Sequence, residues 1–150
     1  MAVTYIPEGF HSVTPYLVVR GAQKTIDFVK QTFSAEMIGN MTKRPDGSVM
    51  HATFKIGNSL VMISDATAEH SPMPAMLYVY VPDVDAAFKR AIAAGGTSVM
   101  EPTDQFYGDR AGGLKDPTGV SWWIGTHQED VAPQELKKRA EALFKQGKAA

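Results

Sequence analysis

At 150 residues with 44% apolar content, the chain is long enough to bury a core and too apolar to stay disordered. Its 15 Lys and Arg against 16 Asp and Glu leave no electrostatic footprint for nucleic acid, and the absence of cysteine excludes disulfides, thiolate metal sites and cysteine nucleophiles. No apolar run is long enough to span a bilayer, and the first nine residues lack a basic start followed by an apolar core, so a cytoplasmic protein is expected.

Residues 1–12 read as an irregular arm with Pro7 and Gly9. Val13–Val19 is apolar on both parities, which predicts a strand buried on both faces. A helix is expected over Ala22–Phe33, where Ala22, Ile26, Val29 and Phe33 share one side and Lys24, Asp27, Lys30 and Gln31 the other. Strands are expected at Glu36–Arg44, Val49–Ile56 and Leu60–Ser64, separated by turns at Pro45-Asp46-Gly47 and Gly57-Asn58. Residues 66–74 are a linker by composition. The pattern then returns: a strand at Met76–Val81, a helix at Val84–Ala94 stopped by Gly95-Gly96, and short strands near Ser98–Met100, Arg110–Lys115 and Val120–Gly125. Pro133 suits the first turn of a C-terminal helix whose apolar side is Leu136, Ala140, Leu143 and Phe144. The basic run Lys137-Lys138-Arg139 reads as its solvated face.

Shifting the chain by 62 residues lays Leu17 on Val79, Val19 on Val81, Ala22 on Val84, Ile26 on Phe88 and Val29 on Ala91, each an apolar pair in the same role. The offset predicts an α+β protein of two βαβββ modules, one over about 13–65 and one over about 75–127, with a C-terminal helix over about 132–146.

Two stretches carry a family likeness: Thr14-Pro15-Tyr16-Leu17-Val18-Val19-Arg20-Gly21-Ala22 running into Thr25-Ile26-Asp27-Phe28, and Phe106-Tyr107-Gly108-Asp109-Arg110-Ala111-Gly112-Gly113-Leu114-Lys115-Asp116-Pro117-Thr118-Gly119 with Trp122 and Thr126-His127. With Met50-His51-Ala52 and Ser64-Asp65, they resemble the PhnB-like branch of the glyoxalase/bleomycin-resistance (vicinal oxygen chelate) superfamily over residues 12–130. The resemblance implies that the strands curl into a mixed-sheet cup with helices outside. Alternation then turns Leu17, Val19, Leu77, Val79 and Val81 towards the helices, and Thr14, Tyr16, Val18, Met76, Tyr78 and Tyr80 into the cup. Tyrosines there either fill the cup as core or stack on a small ligand and orient it by their hydroxyls.

Family enzymes chelate substrate through a divalent ion, and the resemblance places its ligands at Thr14, Met76, Trp123 and either Met62 or Ile63. None of these is an ordinary ligand for a hard divalent ion. His11, His51, His70 and His127 show no paired ligand spacing, so no metal or other cofactor is expected. Trp123 stands in place of a ligand as a flat stacking surface, while Trp122 faces the helices as core. His51 is either a structural strand histidine or a cup residue. Asp109 and Arg110 can pair to stabilise their loop, or Tyr107 and Arg110 can stand at the cup mouth to meet an anionic ligand.

The expected ligand-binding residues are therefore Thr14, Tyr16, His51, Met76, Tyr78, Tyr107, Arg110 and Trp123, with no catalytic residue assigned. The expected function is metal-independent binding of a small, partly aromatic molecule, as in the bleomycin-resistance type. The alternatives are a metal-dependent lyase, isomerase or dioxygenase, and a structural partner with a filled cup. The expected partners are a small-molecule ligand and a second copy of the chain in a homodimer, with neither nucleic acid nor membrane.

Overall fold

A computed structural model of the protein describes residues 2–147. The elements run β1 (Tyr16–Val19), α1 (Ala22–Phe33), β2 (Glu36–Lys43), β3 (Val49–Ile56), β4 (Ser59–Asp65), β5 (Met76–Tyr80), α2 (Val84–Ala93), β6 (Thr97–Asp104), β7 (Asp109–Lys115), β8 (Ser121–His127) and α3 (Pro133–Lys145). The first four strands form one mixed sheet in the order β1-β4-β3-β2, and the last four form another in the order β5-β8-β7-β6. In each sheet the first strand lies parallel to the last and the other pairs are antiparallel. This is the α+β βαβββ pattern twice over, with a C-terminal helix added.

Local chemistry fixes the element ends. Asp65 at the end of β4 accepts from the Gly21 and Ala22 amides at 2.9 and 2.8 Å, placing a carboxylate on the positive end of α1. Asp83 caps α2 by accepting from the Ala86 amide. Gly95 ends the turn after α2 at φ +100°, and the Gly96 amide bonds back to the Ala91 carbonyl.

Both helices pack on their own sheets and against each other, and residues of both helices and both sheets form one apolar cluster. Trp122 of β8 is fully buried there, with its ring 6.2 Å from Phe28 and 5.5 Å from Phe33 of α1. Its indole N–H donates to Asp116, which also accepts from Thr25 of α1. The second module's final hairpin is thus keyed into the first module's helix.

Three expectations need correction. Pro15 has no amide hydrogen and β1 begins only at Tyr16, so Val13 lies outside the strand and is 86% exposed. The strand near Ser98–Met100 extends over Thr97–Asp104 despite Pro102, because β6 is a sheet edge and its register is broken by a bulge. The C-terminal helix forms over Pro133–Lys145, but none of its residues is buried, and Phe144 is exposed.

Candidate functional site

Each sheet has one face towards the helices and one helix-free face, and strand alternation sorts the side chains between them. On β5 the exposure alternates: Met76, Tyr78 and Tyr80 are exposed on the helix-free face, while Leu77 and Val79 pack against the core. Tyr78 pairs with Trp123 of β8, and Trp123 lies opposite Gly113 of β7. Two glycines let these rings lie down on the sheet. A Cβ at Gly113 would sit 2.7 Å from the Trp123 ring, and one at Gly125 would sit 2.6 Å from the Tyr78 hydroxyl.

The rings converge on one carboxylate. Asp109 opens β7, is 2% exposed and stands opposite His127. Its Oδ2 accepts from the hydroxyls of Tyr78 and Tyr80, both at 2.8 Å, and its Oδ1 is 2.7 Å from His127 Nδ1. His127 Nε2 is 2.7 Å from the Asp130 carboxylate, so both ring nitrogens face acceptors and both carry hydrogen when the imidazole is charged. The Tyr107 hydroxyl is 3.3 Å from that of Tyr78. Gly108 (φ +102°) sets this corner: its carbonyl accepts from the Gln128 and Glu129 amides, and a Cβ there would clash with the Glu129 carbonyl.

Electrostatics follow the contacts. Burial pushes the Asp109 carboxyl up, but the bonds from His127, Tyr80 and Tyr78 outweigh it and hold the group below the ordinary carboxylate range. His127 is raised by Asp109 first and Asp130 second. Burial, then Tyr107 and Asp109, push the Tyr78 phenol upwards, so it stays a neutral hydroxyl.

The expected site residues divide into groups. Met76, Tyr78, Tyr107 and Trp123 belong to the helix-free face of the second sheet. Tyr16 and His51 meet on the first sheet, where Tyr16 Oη is 3.4 Å from His51 Nδ1 and the Thr53 hydroxyl is 3.3 Å from Nε2. Thr14 precedes β1, and its hydroxyl donates to the His11 carbonyl. Arg110 lies on the opposite face of β7 from Asp109, where its guanidinium is bound to Asp85 of α2 and to Asp104. The expected Asp109–Arg110 pair is therefore replaced by partners on opposite faces. Sequence reasoning does not reach Asp109 or His127 as site residues, although alternation down β7 from Asp109 through Ala111 to Gly113 marks one small-residue face able to hold rings.

A profile of the Glyoxalase/Bleomycin resistance protein/Dioxygenase superfamily matches residues 9–124. The chain belongs to this superfamily. An uncharacterised protein of Mycobacterium bovis is 34% identical over 137 residues, covering 84% of this chain and 90% of the relative. The PhnB protein of Bacillus cereus aligns at 25% identity with a TM-score of 0.63, over 77% of this chain and 99% of that one. TioX from Micromonospora sp. ML1 gives a TM-score of 0.63 at 22% identity, over 78% of this chain and 98% of TioX, a likeness of fold.

The superfamily's divalent ion can be tested against the side chains at its positions. Register resolves the alternative on β4: Met62 pairs with Tyr16 as Trp123 pairs with Tyr78, whereas Ile63 is fully buried. The four side chains are then Thr14, Met62, Met76 and Trp123: one hydroxyl, two thioethers and an indole. This donor set does not fit a hard divalent ion, which needs carboxylate, imidazole or carbonyl donors. Among the described residues no group of three or more His, Asp or Glu is placed to hold a metal ion, and no helix is long and apolar enough to cross a membrane.

Proposed function

We propose that this protein binds a small organic molecule, without a metal ion, on the helix-free face formed by Met76, Tyr78, Tyr80, Tyr107 and Trp123. The observation that supports the reading is the wiring of Tyr78, Tyr80 and His127 to a single buried carboxylate, Asp109. Rings that merely fill space need no such anchorage. Rings that must receive a ligand gain from being held in one orientation before it arrives, because less ordering is left to oppose binding. Stacking supplies affinity and the fixed hydroxyls supply orientation. A second copy of the chain, laid over the same exposed face, would complete the cup.

The test is an aromatic ligand screen read by tryptophan fluorescence, alongside elemental analysis. Aromatic compounds should shift the emission of the wild type, and Trp123→Ala should weaken their binding tenfold or more. The protein should purify without a stoichiometric divalent ion, and EDTA should leave its melting temperature unchanged. One equivalent of tightly bound Fe, Zn, Mn or Ni would overturn the metal-free reading. Undiminished binding by Trp123→Ala would overturn the site.

A further inference from the structure

We infer that the ligand class of this face is the amphipathic organic cation: an aromatic or apolar body carrying an ammonium group. The inference rests on the proposed binding face and comes from counting hydrogens. A phenol has one hydrogen to give. Those of Tyr78 and Tyr80 both go to Asp109 Oδ2. Tyr78 therefore has none left for Tyr107, and the contact between their hydroxyls must be donated by Tyr107. His127 directs both ring nitrogens at carboxylates, Asp109 and Asp130. Every hydroxyl and imidazole hydrogen in the cluster is thus committed, and the phenol oxygens can offer an incoming group only lone pairs. Trp123 alone keeps a hydrogen to give, from a neutral indole.

Charge points the same way. Asp109 and Asp130 flank one imidazole, which leaves the cluster negative even when His127 is protonated. The neighbouring guanidiniums are already engaged: Arg110 with Asp85 and Asp104 on the opposite face, and Arg139 with Glu129 and Glu135. Lys115 shares the helix-free face but stands at its other end, in the row of Ser121 and Met76, six residues along β7 from Asp109 or about 20 Å at the rise of an extended strand. Among the described residues no cation beside Asp109 is thus left to meet a carboxylate or phosphate, and the attraction for a cation is concentrated at the Tyr78 and Tyr80 end of the face.

The rings complete the case. Tyr78 and Tyr80 are 5.1 Å apart at an interplanar angle of 51°, an open angle between two π faces, with Trp123 on the next strand and Tyr107 beyond. Aromatic faces attract a cation through their quadrupoles, most strongly for Trp. A carboxylate at the hydroxyl ends of two of the rings reinforces that attraction and repels anions. The expected ligand of Arg110 at the cup mouth was an anion; with Arg110 committed elsewhere, the face selects the opposite sign.

The experiment compares three probes sharing a benzyl body by calorimetry on the purified full chain: benzyltrimethylammonium, its neutral tert-butyl isostere neopentylbenzene, and phenylacetate. The cation should bind at least tenfold tighter than the neutral isostere, and phenylacetate weakest. Asp109→Asn should reduce the cation's advantage several-fold. Asp130→Asn, at a fully exposed side chain outside the core, should reduce it by a smaller factor and keeps the test valid if the buried substitution impairs folding. Equal affinities, or tightest binding of phenylacetate, would overturn the cation assignment and leave the aromatic binding face standing. Failure of all three probes to bind would overturn both.

Discussion

Asp109 shows how much one residue can hold in place. Its carboxylate ties β5, β7 and β8 together through Tyr78, Tyr80 and His127. Its opposition to His127 has a definite pH signature. His127 is raised in the folded chain, so its contribution is fully present below its unfolded pKa and is lost as pH rises through the folded value. Asp109 is lowered, so its contribution is present above its unfolded pKa and is lost as pH falls through the folded value. The pair is therefore most stabilising between the ordinary carboxylate range and the ordinary imidazole value of 6.5, and its contribution is lost as pH rises from there through the folded imidazole pKa. NMR titration should give His127 a midpoint above 6.5, falling in Asp109→Asn. The difference in melting temperature between wild type and His127→Asn should shrink as pH rises past that midpoint. A midpoint at or below 6.5 would contradict the ion pair.

At the scale of elements, adjacent residues of one strand answer to different faces, and β8 offers the sharpest comparison. Trp122 is fully buried against Phe28 and Phe33 and donates to Asp116, while Trp123 lies over Gly113 on the helix-free face. Trp122→Ala should cost about 3–5 kcal/mol by cavity formation, and should also strip a partner from Asp116. Trp123→Ala should cost clearly less in chemical denaturation while changing ligand binding. Equal losses of stability would show that both rings serve as core. This alternation was readable from the sequence, as were the bounds of α1 and β3, because turn residues and apolar spacing punctuate those segments. The Asp109 hub was not. Its partners lie 18 to 31 residues away in sequence, and the neighbouring Arg110 offers an obvious pairing that strand alternation forbids. The extent of β6 was obscured by Pro102, whose meaning depends on whether its strand lies at a sheet edge.

For the whole molecule, the governing fact is that part of the exposed apolar surface, Tyr16, Met76, Tyr78 and Tyr80, gathers on the helix-free faces. Helices α1 and α2 both pack into the shared core, and no residue of α3 is buried. Met76 and Tyr80 are 61% and 62% exposed, Tyr16 47% and Tyr78 37%. Large side chains gathered on one face differ from scattered exposed residues, because a partner can cover them together. The proposed second copy would bring a matching surface, and isologous pairing is the commonest closed arrangement of small oligomers. A stable contact would need to cover roughly 1,200–2,000 Å² in total. Light scattering should accordingly report twice the 16.3 kDa chain mass at micromolar concentration. Met76→Lys should shift the protein towards monomer, because the charge would be buried without a partner in the contact but stay solvated in the free chain. The far-ultraviolet dichroism should be unchanged, since Met76 lies outside the core cluster and is 61% exposed. A wild type that scatters at the monomer mass over this range would remove the paired cup and leave each face to bind its ligand alone.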